Sequence, residues 1–267
     1  MMFSGQLLKM ISENTDPVQY YLNLSGDLIS INQLISKKIT IKHIGYKCIS
    51  CGIDEMIFRM GFCKKCFFES PYASESIIRP ELSKAHLGIE ERDLDIEKKI
   101  QLVPHIVYLS YTGGVKVGVT RNSQIPTRWI DQGATLAVPI AKTENRFQAG
   151  LIEVALKKSF PDKTNWKKML QNTESEENLT NLERVRINIK KNFPDELIKF
   201  YTPNEDIYNI KYPYNISSKE ISSLKLNKES EISGTLKGIK GQYLHFDGGL
   251  FFNVRKHEGY TINLSIM

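Results

Sequence analysis

Residues 105–121 read HIVYLSYTGGVKVGVTR. Apolar and small residues alternate on both sides of Gly113 and Gly114, a pattern that predicts a β-hairpin closed by a glycine turn. Moving outward, residues 126–133 read PTRWIDQG and predict a short helix, with Pro126 at its start and Gly133 just past its end. A second helix is expected over 149–159. Its apolar positions Ile152, Ala155, Leu156 and Phe160 share one face, and Glu153 and Lys157 stand one turn apart on another. A third is expected from Thr173, where Thr173 and Glu176 have capping-box spacing, with Leu179, Leu182, Val185 and Ile189 as its packing stripe.

The flanks of this core have a different texture. Before it lie a polar connector with Pro71 and Pro80 and a charged stretch, 88–101, that suits a short helix ahead of Pro104. The chain ends read as strands: 18–24 and 39–44 on one side, and 231–238, 242–246, 250–254 and 260–266 on the other, the latter separated by glycine turns. Two-stranded ribbons are rarely stable alone, so a joint closure of the two ends is plausible. The expected class is α+β. An α/β core over 105–200 would be preceded by N-terminal strands (1–43), a metal ribbon (44–69) and a connector (70–104), and followed by a small antiparallel β domain (201–267).

The chain has four cysteines, Cys48, Cys51, Cys63 and Cys66, in two C-x2-C pairs separated by eleven residues. That spacing fits a zinc ribbon in which each pair forms a knuckle and the two complete a tetrahedral four-thiolate site. A closed shell of this kind holds a fold together and leaves no open position for chemistry. Two disulfides or four unrelated thiols are the competing arrangements; a chain of cytoplasmic character disfavours the first, and the regular spacing disfavours the second. The N-terminus lacks a signal-peptide apolar stretch and no run is long enough to span a bilayer, so a cytoplasmic protein without membrane attachment is expected.

The net charge of +6 is concentrated. Between residues 105 and 170 there are ten Lys or Arg against four acids, a surplus of six that equals that of the whole chain. A polyanionic partner such as DNA or RNA would meet the protein here. An ordinary solvated surface is the competing explanation.

The strand Ile106-Val107-Tyr108, the strand Lys116-Val117-Gly118, Thr120, Arg128 on the first helix and Glu153 on the second together resemble a GIY-YIG nuclease module. Residues 152–170, IEVALKKSFPDKTNWKKML, are similar to the E-x-x-L-x-x-x-F block of the phage-type branch of that superfamily. Over nearly its full length the chain also resembles an uncharacterised bacterial family that joins a zinc ribbon to this module. The resemblance implies metal-dependent phosphodiester cleavage. Tyr108 would orient or deprotonate the nucleophile, Arg128 would neutralise charge on the phosphorane, and Glu153 would hold Mg2+ or Mn2+. Lys116 stands where a second tyrosine is usual, and contacts phosphate or shares in the chemistry. Arg121 and Arg146 are candidate nucleic-acid contacts.

Alternatives accompany these roles. Glu153 equally suits a helix-surface pair with Lys157. Trp129 suits a core anchor better than base stacking, Asp131 and Asp162 suit caps or turns better than a second metal ligand, and His105 is a structural histidine or a proton shuttle. At the level of the whole protein, the alternative to a nuclease is a non-catalytic DNA- or RNA-binding module. A further one is a protein-interaction module using the ribbon or the C-terminal β domain.

Overall fold

In the computed structural model, residues 1–159, 165–171, 175–215, 220–226 and 230–267 are described. The chain forms two compact units, one made of residues 1–68 with 211–267 and the other of residues 69–210.

The first unit begins with β1 (Met2–Gln6), β2 (Leu8–Glu13), β3 (Gln19–Leu24), β4 (Asp27–Ser30) and β5 (Lys38–Tyr46). Strands β2, β3 and β4 make a three-stranded antiparallel sheet. Its β3–β4 turn uses Ser25 and Gly26, both at positive φ, which accounts for the Ser-Gly-Asp break in the sequence. The short helix α1 (Lys64–Glu69) begins directly after Cys63 and carries Cys66, which completes the second cysteine pair.

The second unit opens with a connector that contains α2 (Glu75–Ile78) and α3 (Leu94–Gln101). The connector is tied by side chains rather than by length of helix. Asp93 caps α3 by accepting from Ile96 N at 2.9 Å, and the buried Glu97 accepts from the backbone N–H groups of Glu91, Arg92 and Asp93. Gln101 accepts from Ser83 Oγ and donates to Ser76 Oγ.

Next come β6 (His105–Tyr111) and β7 (Val115–Arg121), the expected hairpin, with Gly113 in its turn at φ +80°. They are followed by α4 (Thr127–Asp131), β8 (Leu136–Thr143), α5 (Arg146–Lys157), α6 (Trp166–Gln171), α7 (Glu176–Ile189) and the two-residue β9 (Tyr208–Asn209). The sheet order is β7-β6-β8-β9, antiparallel throughout, so the hairpin's first strand is central. Strand β8 carries Pro139 opposite Tyr108, beside a register shift between Val107 and Tyr108. A proline inside a sheet is tolerated at such irregularities, and it masks the strand in the sequence.

One face of this sheet is packed by Val107, Leu109, Val117, Val138 and Ile140 against Ile152 and Leu156 of α5 and Leu182 and Ile189 of α7. Helix α5 begins at Arg146, capped by Asn145, whose side chain accepts from Gln148 N at 3.0 Å. Helix α7 is capped by Ser175, which accepts from Asn178 N at 3.2 Å. The expected capping residue, Thr173, lies outside the described residues, as do Phe160 and Asp162. Leu182 and Ile189 are buried as the stripe predicts, whereas Leu179 at the first turn is exposed.

The chain then returns to the first unit with β10 (Ser222–Leu224), β11 (Glu231–Lys240), β12 (Tyr243–Phe246), β13 (Leu250–Asn253) and β14 (Tyr260–Ile266). The two chain ends share one seven-stranded sheet of order β1-β14-β5-β11-β12-β13-β10. All its pairings are antiparallel except β10 with β13. Its core is built from alternate residues, among them Ile39, Ile41, Leu236, Leu244, Phe251, Ile262 and Leu264. Among the described residues no helix is long and apolar enough to cross a membrane.

Candidate functional site

The four cysteines come together. Their sulfur atoms all lie within 4.8 Å of one another, and no other group of three or more Cys, His, Asp or Glu among the described residues converges in this way. Cys51 Sγ and Cys63 Sγ are 3.9 Å apart, close to the ~3.8 Å edge of a tetrahedron with Zn–S bonds of about 2.3 Å and far beyond a disulfide bond. All four are free thiols. Local backbone geometry makes the knuckles: Gly52 N donates to Cys48 O at 2.9 Å, and Cys48 N donates to Ile53 O at 2.9 Å. Gly52 and Gly61 both adopt positive φ, and a β-carbon on Gly61 would meet Ile49 Cδ1 at 2.9 Å.

The acidities of these thiols diverge. Burial pushes the Cys48 thiol up, but backbone N–H groups at Cys51, Cys63 and Ser50 outweigh it and bring it down to about 6. Burial and the neighbouring Cys51 and Cys63 sulfurs push Cys66 up to about 12. Four thiolates so close together cannot all ionise without a cation between them, and a dication removes the conflict. The donor set and spacing fit zinc, so the cluster is consistent with a structural zinc site.

The second constellation lies in the other unit. Tyr108 on β6 and Lys116 on β7 each feel the charges of Arg128 on α4 and Glu153 on α5, although the four come from separate elements. Tyr108 is completely buried. Its hydroxyl donates to Gln132 Oε1 at 2.9 Å, and its ring meets Trp129 edge-on at 5.8 Å. The strand register places it opposite Gly118, where a β-carbon would stand 2.6 Å from the phenol oxygen. Burial raises the Tyr108 phenol above its ordinary range; the Arg128 guanidinium opposes this and Glu153 adds to it. The phenol therefore stays protonated at neutral pH.

Lys116 moves in the other sense. Burial, reinforced by Arg128 and opposed by Glu153, lowers its ammonium to about 8. Glu153 is only 7% exposed, contrary to the surface position that its spacing from Lys157 suggests. The pair with Lys157 exists, at 3.5 Å through Oε1, but Glu153 Oε2 is buried with no hydrogen-bond partner. Burial raises the Glu153 carboxyl, against Lys157 and Arg146, which lower it. A carboxylate oxygen without a partner is the hard donor that Mg2+ or Mn2+ takes, whereas the neighbouring Lys157 and Arg146 charges oppose a second cation there.

The remaining candidates take different places. Arg146 spends its donors on the chain: Nε donates to Ser76 O at 2.8 Å and Nη2 to Ile77 O at 2.7 Å. Arg121 ends β7 opposite His105. His105 is fully buried, bonds Val103 O through Nδ1 at 2.7 Å, and is lowered by burial to about 4, which keeps it neutral at physiological pH. A neutral, enclosed imidazole is a poor proton shuttle. Trp129 is a core anchor, fully buried between Tyr108 and Tyr208. Gln132, which the sequence reading passes over, sits one helical turn after Arg128, a spacing that would have pointed to it.

No curated protein and no solved structure matches this chain. A family model described as "Protein of unknown function (DUF2797)" matches residues 36–262, a span that takes in the cysteine cluster, the Tyr108–Glu153 constellation and most of the returning strands. The chain belongs to that family.

Proposed function

We propose that this protein acts on nucleic acid, and that a GIY-YIG-like core over residues 105–200 cleaves phosphodiester bonds with a divalent metal ion. The ribbon at 44–69 would be its zinc-stabilised accessory and the returning strands a β domain able to carry a protein partner. The observation that carries the reading is the buried carboxylate oxygen of Glu153 left without a hydrogen-bond partner, with Glu153 and Arg128 both near enough to Tyr108 and Lys116 for their charges to be felt there.

When bound at Glu153, a Mg2+ or Mn2+ ion supplies Lewis-acid stabilisation of the phosphate charge. The protein's own groups do the rest. Lys116, with its ammonium near 8, is neutral in part at pH 7.5–8 and accepts the proton of an attacking water. The water oxygen bonds phosphorus, the ester bond to the leaving oxygen breaks with its electron pair, and solvent protonates the leaving oxygen. Arg128 meets the charge that accumulates on the phosphorane oxygens. Tyr108, protonated, fully buried and braced by Gln132 and Trp129, acts as a positioning residue for the α4 segment that carries Arg128.

One observation favours a second reading, a binding module without catalysis. Glu153 Oε1 already faces Lys157 at 3.5 Å, as a structural ion pair would. The test is cleavage of labelled single-stranded, double-stranded and branched DNA, and of RNA, with Mg2+ or Mn2+. Cleavage by the wild type that disappears in Glu153→Ala supports the nuclease. Salt-sensitive binding without cleavage, unchanged in Glu153→Ala and weakened in Arg128→Ala, supports the binding module.

A further inference from the structure

The connector segment that precedes the core is fastened along one stripe of α5. Arg146, Gly150, Glu153 and Lys157 recur at helical spacing on that stripe. Arg146 grips the carbonyls of Ser76 and Ile77 at 2.8 and 2.7 Å. Four residues on, Gly150 admits the connector backbone so closely that a β-carbon there would lie 2.5 Å from Pro80 C and 2.2 Å from Glu81 N. His86 stacks on Phe147 of the same helix at 4.3 Å. No side chain other than hydrogen fits at residue 150 with the connector in place, so this is a built contact.

The contact delivers a carboxylate. Glu81 lies against α5 at Gly150, three residues before Glu153 and so on its face. Its side chain is 20% exposed and is held by Arg79 Nε at 3.1 Å through Oε1. Glu153 is more than nine-tenths buried, with Oε2 unpartnered. Glu81 is near enough for its charge to be felt at Glu153, and a cation between two like charges would turn that repulsion into attraction. A single carboxylate holds Mg2+ weakly, whereas a pair from two rigid elements makes a defined oxygen site.

We propose that Glu81, brought in by the connector, is the second carboxylate of the divalent-cation site centred on Glu153. This rests on the metal-dependent reading above and extends the site outside residues 105–200. It also gives the connector a chemical task in addition to a structural one.

The experiment is Mn2+ titration of the full-length, zinc-loaded protein followed by electron paramagnetic resonance, with wild type, Glu81→Gln, Glu81→Asp and Glu153→Gln. Glu81→Gln is expected to weaken Mn2+ binding by about 10-fold or more, and Glu153→Gln to remove it. Glu81→Asp, which keeps the charge, should recover part of the loss. Wild-type affinity in Glu81→Gln alongside loss in Glu153→Gln overturns the role of Glu81 and leaves the metal reading standing. Equal weakness of the Asp and Gln variants makes Glu81 a structural residue and also overturns it. Absence of Mn2+ binding in the wild type overturns the metal reading itself.

Discussion

The phenol oxygen of Tyr108 lies over the backbone of Gly118, its cross-strand partner, at a distance that leaves no room for a β-carbon. A methyl group there would stand 2.6 Å from the oxygen and 2.7 Å from Cζ, so the ring must move or the strands must part. Gly118→Ala should cost about 1–3 kcal/mol of stability. It should also break the Tyr108–Gln132 hydrogen bond. Chemical denaturation of the variant, with tyrosine absorbance to follow the buried phenol, checks both.

Lys116 sets a pH dependence for the proposed reaction. A lysine lowered to about 8 is competent as a base only when neutral, and its neutral fraction rises with pH. Cleavage should therefore increase through pH 8 and level off above it. Lys116→Arg, which stays charged, should lose that rising limb. A pH–rate profile of the two proteins decides the matter.

The cysteine cluster should hold one zinc ion per chain, measurable by elemental analysis of the purified protein. Removing zinc with a chelator, or replacing Cys48 with Ser, should loosen residues 44–69, because the binding energy of such a site is folding energy. Hydrogen exchange across the ribbon would show the loss. Recovery of two disulfides in place of metal would refute the assignment.

Arg146 and Arg121 should separate in their effects. Arg146→Ala removes two charge-assisted hydrogen bonds to Ser76 and Ile77 carbonyls and should cost about 2–4 kcal/mol of stability. Arg121→Ala should leave stability nearly unchanged while reducing the salt dependence of nucleic-acid binding. Thermal melts and binding titrations at two salt concentrations distinguish them.

His105 should make the second unit acid-sensitive. Its folded-state value, about 4, lies below the unfolded value near 6.5, so the unfolded chain binds the extra proton between those limits. Stability should fall as pH is lowered through that window, by at most about 3 kcal/mol from this group. His105→Gln should flatten that part of a stability–pH curve measured by urea unfolding.

Much of the architecture was legible because its signals are local. Gly113-Gly114 within alternating apolar residues marks the hairpin, Pro126 and Gly133 bracket α4, and glycine turns separate the C-terminal strands. The cysteine site was legible from spacing alone. Other features depend on distant partners and leave no local trace. Strand β8 was hidden by Pro139, which is tolerated only because the ladder shifts opposite it. The i,i+4 spacing of Glu153 and Lys157 reads as a solvent-facing pair, yet Glu153 is buried on the stripe of α5 where Pro80 and Glu81 pack at Gly150. Arg146 reads in the sequence as a candidate nucleic-acid contact, and nothing in its neighbourhood reveals its hydrogen bonds to carbonyls about seventy residues upstream.

The shared sheet of the two chain ends has a consequence for how the protein is made. Among the described residues, strand β5 pairs with β11 and β14 alone, and β1 with β14 alone. A ribosome therefore releases β1 and β5 long before their partners exist, and residues 69–210 must emerge in the interval. That central unit contains all its own sheet pairings and can settle while the N-terminal segment waits, with the β2–β4 sheet and the metal ribbon as the structures available to it locally. Translation that stops before residue 231 would leave β5 with two open edges, the state in which a nascent chain most needs a chaperone.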